Sequence, residues 1–563
     1  MKTKKCSNML RRASVLALSA AMVMAMGATA YAAPGDGTDP APAASVSDRK
    51  VDEKLEIRGL QPGDSADFYK ILKWVDGEGW KLADGLEGLS LDGTAFDAGV
   101  EITDAWAGAI SDAVKANNIA VAFSGTAGDS GVLTHEGPDA GLYMAVIKPG
   151  SPEFVYNPVF LGADFTQEND GTDGSVIVFP DDGELRYGSD GKAKLSKFNV
   201  EKTAGEGDTS IGVGDTVSFT ITTKAPAFGE SYTNPMFKVS DKLSAGLKLD
   251  ADSISVTGSD SYAKETSEDG FSIDFDATWL KSLKDAADIT ITYTATVVSE
   301  DAVTVDPEDN TVTVEYSNDP TDENSHGIIK DRTNHYLFSL DTALLGNSSY
   351  TSSEIVKVGE GELEEKILDN GETVKALEGA VFSLYKSANA DGSDWELVSD
   401  EIKSDANGHM PMIGLDADYY YFLQETQAPE GYVKYQNVIK IQIVPDYGEV
   451  EVKDTDDDGN EIVYKTNILN SYTVNVWADK DAGEPQSVAN YTITNEGPDV
   501  KNVSDATGKD DGTYEIVNKP GVELPSTGGI GTTIFYVCGG CLVLFAGVAL
   551  VVRKRMGKGG SED

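Results

Sequence analysis

Thr216-Val217-Ser218-Phe219-Thr220-Ile221-Thr222 and Ile289-Thr290-Ile291-Thr292-Tyr293-Thr294-Ala295 set apolar or aromatic side chains on every second residue between threonines and serines. A period of two, carried by β-branched residues and broken by frequent turns, predicts half-buried strands of a β-sandwich. The same grammar runs from Lys197 to Thr311-Val312-Thr313-Val314-Glu315-Tyr316, read as the last strand before the turn Ser317-Asn318-Asp319-Pro320. Downstream, Gly379-Ala380-Val381-Phe382-Ser383-Leu384-Tyr385 and Tyr419-Tyr420-Tyr421 suit a further sandwich from about Asn334 to Asn518. Upstream, strands are expected at Phe68 to Leu72, Gly141 to Val146 and Val155 to Leu161, with a loop over Asn169 to Gly174. Between Ile102 and Ile119, Trp106, Ile110 and Val114 recur at intervals of four, which predicts a helix with one apolar face. The expected fold class is mainly β: tandem Ig-like sandwiches behind an N-terminal domain that contains a helix.

The chain of 563 residues is too long for one core. Its formal charge of −49 argues against nucleic acid or anionic lipid as a partner. Hydrophobic residues make up 40%, so this is no acidic disordered tail. The cysteines are Cys6, in the signal-peptide region, and Cys538 and Cys541, in the C-terminal apolar run, and the four histidines form no ligand spacing. Asp454 to Gly459 begins like a calcium loop, but its twelfth position is Lys465 rather than glutamate. No metal, no cofactor and no enzymatic activity on an external substrate is expected.

The two ends carry export signals. Lys2, Lys4, Lys5, Arg11 and Arg12 precede an apolar run from Val15 to Met26, and Ala30 and Ala32 suit a signal-peptidase site, which gives a signal peptide over 1–32. Residues 33–47 read as a flexible leader. At the other end Leu524-Pro525-Ser526-Thr527-Gly528 is followed by uncharged Ile530 to Val552 and by Arg553-Lys554-Arg555. Such a run spans roughly 30 Å of hydrocarbon as a helix, with the basic cluster on the cytoplasmic side. This arrangement over 524–563 resembles the sorting signal of Gram-positive surface proteins. The resemblance implies cleavage between Thr527 and Gly528 by the cysteine of a sortase, removal of the transmembrane helix, and an acyl-enzyme resolved by an amine. Without 1–32 and 528–563 the charge becomes about −56.

Tyr421-Phe422-Leu423-Gln424-Glu425-Thr426-Gln427-Ala428-Pro429-Glu430-Gly431-Tyr432 closely resembles the E-box of sortase-assembled pilins and Cna-B-type domains, and Leu377 to Tyr385 resembles their second-strand signature. In that family a first-strand lysine joins a last-strand asparagine through a spontaneous side-chain amide, catalysed by the E-box glutamate. The chemistry is physically sound. Burial makes an amine neutral and nucleophilic, and keeps a carboxylic acid protonated for shuttling protons while ammonia leaves. Carried over, the residues are Lys357, Glu425 and Asn518. About 85 residues separate the E-box from Asn518; an inserted lobe at roughly 452–500 would account for that, with Asn467 or Asn470 as alternative partners. Val239 to Leu247 resembles the strand bearing the catalytic aspartate of Cna-A-like middle pilin domains. It implies Lys202, Asp241 and Asn318, with Asn310 as the alternative. The first domain offers no such triad.

The domains are therefore expected at 48–190 (N-terminal pilin domain), 191–333 (Cna-A-like) and 334–523 (Cna-B-like). A pilus shaft also needs a lysine that resolves the next subunit's acyl-enzyme. The family's Tyr-Pro-Lys-Asn motif is missing, and Lys194, Lys192 and Lys197 at the first junction are the candidates. The five residues between Asn518 and Leu524 make no stalk, which favours a polymer over a lone adhesin. The resemblance implies a cell wall-anchored fimbrial subunit that supports adhesion. Its partners would be pilus-specific and housekeeping sortases, identical subunits, peptidoglycan, accessory pilins and host ligands. The alternative is a monomeric or minor-pilin adhesin.

Overall fold

A computed structural model describes residues 50–75, 78–165, 187–197, 199–298, 305–345, 350–456, 461–505, 512–521 and 530–556. The signal peptide, the leader, the Asn169–Gly174 loop and the motif Leu524 to Gly528 lie outside the described residues. The fold is mainly β, as expected.

In the N-terminal part, strand Ser65–Val75 is bonded to Gly141–Lys148, Gly79–Leu82 and Phe123–Thr126. Helix Asp104–Ala116 buries Trp106, Ile110 and Val114, the residues the spacing selected, and Thr103 caps it by accepting the Trp106 N–H. These side chains pack with Leu86, Phe96 and Met144. A second core, with Leu55, Phe68, Leu133 and Leu161, lies against a three-stranded sheet in which Asp190–Lys192 runs parallel to Lys54–Arg58. Leu195–Lys197 likewise pairs with Phe154–Tyr156. The lysine-rich stretch that reads as a junction is thus made of edge strands on the first domain.

The central sandwich has Val200–Ala204, Thr216–Ala225, Ala287–Val297 and Leu247–Thr257 in one sheet. Tyr262–Ser267, Gly270–Phe275, Phe237–Leu243, Glu308–Ser317 and His326–His335 form the other. Val217, Phe219 and Ile221 point inward, as their alternation requires. The strand read as the last is followed by His326–His335, which pairs along its whole length, so the boundaries placed at 190/191 and 333/334 both fall inside strands.

The C-terminal sheet has seven strands, in the order Glu396–Lys403, Val381–Ser387, Tyr420–Gln427, Ile439–Thr455, Glu461–Trp477, Ser487–Glu496, Asp499–Asp505. The extra length after the E-box is therefore not a separate lobe: it extends this sheet. The hairpin of Ile439–Thr455 with Glu461–Trp477 continues alongside His326–His335 of the central sandwich. There Asn334 N–H donates to Asn467 Oδ1 (2.9 Å), and the two side-chain amides donate to each other's backbone carbonyls (2.9 and 2.6 Å). Lys330–Asp454 (2.6 Å) and Arg332–Asp499 (2.8 Å) flank this pair. Asn334 is buried, so Asn467→Ala takes the side-chain partners from its backbone N–H and carbonyl and is expected to cost about 1–3 kcal/mol in a denaturant titration.

Helix Ile530–Met556 ends in Arg553, Lys554 and Arg555. Its segment Tyr536–Arg555 has a mean hydropathy of 2.0 and is long and apolar enough to cross a membrane.

Candidate crosslinking sites

In the C-terminal domain Ile355–Gly359 is buried at every residue and runs parallel to Tyr514–Pro520, with Lys357 opposite Ile516 and Gly359 opposite Asn518. Lys357, Glu425 and Asn518 are 0%, 0% and 1% exposed, an arrangement that ordinary surface charges never adopt. Lys357 Nζ donates to the carbonyls of Ile516 (2.6 Å) and Val358 (3.2 Å). Asn518 Nδ2 donates to Glu425 Oε1 at 2.8 Å, while Glu425 Oε2 accepts the Tyr435 N–H. Asn518 Oδ1 has no hydrogen-bond partner. Burial lowers the Lys357 pKa to about 8, against the opposing charge of Glu425. Amide formation here should accelerate on the order of tenfold per pH unit below about pH 8 and level off above it. Timed mass spectra of freshly synthesised chain at graded pH check this. The alternatives Asn467 and Asn470 lie elsewhere, Asn467 on Asn334 and Asn470 on Asp446 (3.4 Å).

The central site spans both sheets. Lys202 Nζ is bonded to Asp241 Oδ2, and both side chains are fully buried. Burial lowers the lysine pKa and raises that of Asp241, each opposed by the other's charge, so both shifts favour the neutral pair. The Phe219 and Tyr293 rings lie 5.0 and 5.1 Å from Nζ. The geometry corrects the choice of asparagine. Asn318 sits in the turn after Glu308–Ser317 and accepts from Ser325 Oγ at 2.7 Å. Asp241 is opposite Val312, so Asn318 lies roughly 20 Å further along the strand. The asparagine at the site is Asn310, fully buried, with Oδ1 unpartnered and Nδ2 donating to Tyr293 Oη at 2.9 Å. In the C-terminal domain the lysine and asparagine strands are parallel neighbours. Here they belong to opposite sheets and meet across the core. The available signal was an asparagine in phase with Val312, Val314 and Tyr316.

Among the junction lysines, Lys192 ends an edge strand and is exposed. Lys194 Nζ donates to the Lys284 carbonyl (3.4 Å), and Lys197 Nζ lies 3.3 Å from Glu153 Oε2. All three are exposed amines, unlike Lys202 and Lys357.

The family model described as the SpaA prealbumin-like fold domain matches residues 366–458, a stretch that includes Glu425. The trypsin-resistant surface T6 protein of Streptococcus pyogenes serotype M6 is 24% identical over 550 residues, covering 89% of this chain and 95% of that protein. The solved structure of the T6 backbone pilin of serotype M6 Streptococcus pyogenes, described as modular and three-domain, superposes with a TM-score of 0.52. It is 18% identical and covers 83% of this chain and 98% of that one.

Proposed function

We propose that this chain, a Gram-positive pilin of the backbone type, is the repeating subunit of a pilus shaft and locks its central and C-terminal domains with internal amides. The observation that carries the reading is the parallel pairing of Ile355–Gly359 with Tyr514–Pro520, which buries Lys357, Glu425 and Asn518 in one place. In the C-terminal domain the neutral Lys357 amine attacks Cγ of Asn518. Glu425, hydrogen-bonded to the leaving nitrogen, takes a proton from the attacking amine and passes it to that nitrogen, and ammonia departs. The Lys202, Asp241 and Asn310 group does the same in the central domain. Each reaction happens once per molecule, so the chain is not an enzyme. A tie between a domain's first strand and its last or next-to-last strand resists its being pulled open from its ends, which is what a fibre loaded along its length requires.

Polymerisation follows if sortase cuts after Thr527 and passes the acyl group to Lys192, Lys194 or Lys197 of the next subunit, with peptidoglycan receiving the last one. Denaturing gels of wall extracts test the shaft assignment. A ladder of high-mass species is expected; a single band near monomer mass would leave a wall-anchored adhesin instead.

A further inference from the structure

We propose that Tyr293 is a catalytic residue of amide formation in the central domain, carrying a proton from the attacking amine to the departing ammonia. This rests on the reading that Lys202 and Asn310 become linked.

Tyr293 Oη is the one atom hydrogen-bonded to all three members of the site. It accepts from Lys202 Nζ (2.5 Å) and from Asn310 Nδ2 (2.9 Å), and donates to Asp241 Oδ1 (2.6 Å). One hydroxyl has one proton to give and two lone pairs to receive, so its capacity is fully used. The two nitrogens it touches are the nucleophile and the leaving group. The C-terminal site differs. There Glu425 itself reaches the leaving nitrogen of Asn518, and Lys357 is held by backbone carbonyls. Asp241 is one methylene shorter than a glutamate, and it connects to Asn310 through the phenol. A simple packing role would call for a ring here and would not require a hydroxyl in the middle of the group.

The Lys202 ammonium gives one proton to the Asp241 carboxylate, leaving a neutral amine and a neutral acid. The Nζ lone pair forms the bond to Cγ of Asn310, and the carbonyl π pair moves onto Oδ1. Nζ then hands a second proton to Tyr293 Oη while the phenol proton passes to Nδ2. The Cγ–Nδ2 bond breaks, ammonia leaves, and the carbonyl re-forms. Tyr293 ends as it began, and Asp241 ends protonated in its buried site.

Tyr293→Phe keeps the ring that stacks on Phe219 and removes only the relay. The test uses full chain made by cell-free synthesis and sampled over time, with the two possible links read separately as crosslinked peptides. Tyr293→Phe should form the Lys202–Asn310 link more slowly by on the order of a hundredfold. The Lys357–Asn518 link in the same molecule should form at the wild-type rate, which shows that the chain folds. Replacing Tyr293 with 3-fluorotyrosine, whose phenol is more acidic, should preserve the link and shift its pH–rate profile to lower pH. A Tyr293→Phe chain that links Lys202 to Asn310 at the wild-type rate overturns the relay and leaves the crosslink standing. Wild-type chain with no such link overturns the crosslink reading, and the relay falls with it.

Discussion

Glu425→Gln should leave Lys357 and Asn518 unlinked and lower the melting temperature of the C-terminal domain by about 10–20 °C. Glutamine matches glutamate in size and can still accept the Tyr435 N–H, so the packing around the site is retained. It cannot take a proton from the amine and hand it to the Asn518 nitrogen, so the link does not form. The missing tie would close a loop of roughly 160 residues, for which the chain-entropy treatment of crosslinks gives about 5 kcal/mol. For a domain of this size each kcal/mol is worth about 2–4 °C. Calorimetry of wild type and variant, with intact masses to confirm the extra ammonia, measures this. Equal loss of ammonia relative to each sequence mass, with equal melting, would remove Glu425 from the reaction.

The second large effect concerns assembly. A Lys192/Lys194/Lys197→Ala triple variant should reach the wall as monomer only, with every step of the ladder gone. Its fold should be untouched. All three side chains are exposed, and their contacts, a backbone carbonyl at 3.4 Å, an ion pair at 3.3 Å and the Phe154 ring 5.5 Å from Lys197 Nζ, are of the kind whose loss costs about 1 kcal/mol or less. Both internal amides should therefore still form, which separates loss of polymer from misfolding. A ladder that persists in the triple variant would move the intersubunit bond to another lysine.

Much of this molecule could be read from its chain, and the parts that could not share a physical cause. Alternation in Thr216–Ala225 and the four-residue spacing of Trp106, Ile110 and Val114 are local signals, and each placed its side chains correctly. The resemblance singled out Lys357 and Asn518, and the two short strands that carry them pair in parallel. Asn310 was ranked below Asn318 because sheet membership is not a local property. Nothing near Glu308–Ser317 says that it lies across the core from Val200–Ala204 rather than beside it. Tyr293 was hidden for the opposite reason. Its phase with Ile289, Ile291 and Ala295 makes it look like ordinary core, and only the buried hydroxyl distinguishes it. The long hairpin followed the same pattern. The stretch after the E-box reads as an inserted lobe, whereas Lys330 and Arg332 on the neighbouring sandwich pair with Asp454 and Asp499 and hold the extended sheet against it.

The most direct test of the account is the intact mass of the exported piece, residues 33–523, produced without sortase. The account predicts a mass lower than the sequence mass by two ammonia molecules, with crosslinked peptides joining Lys202 to Asn310 and Lys357 to Asn518. A mass equal to that of the sequence, in protein that is folded and aged at neutral pH, would contradict it.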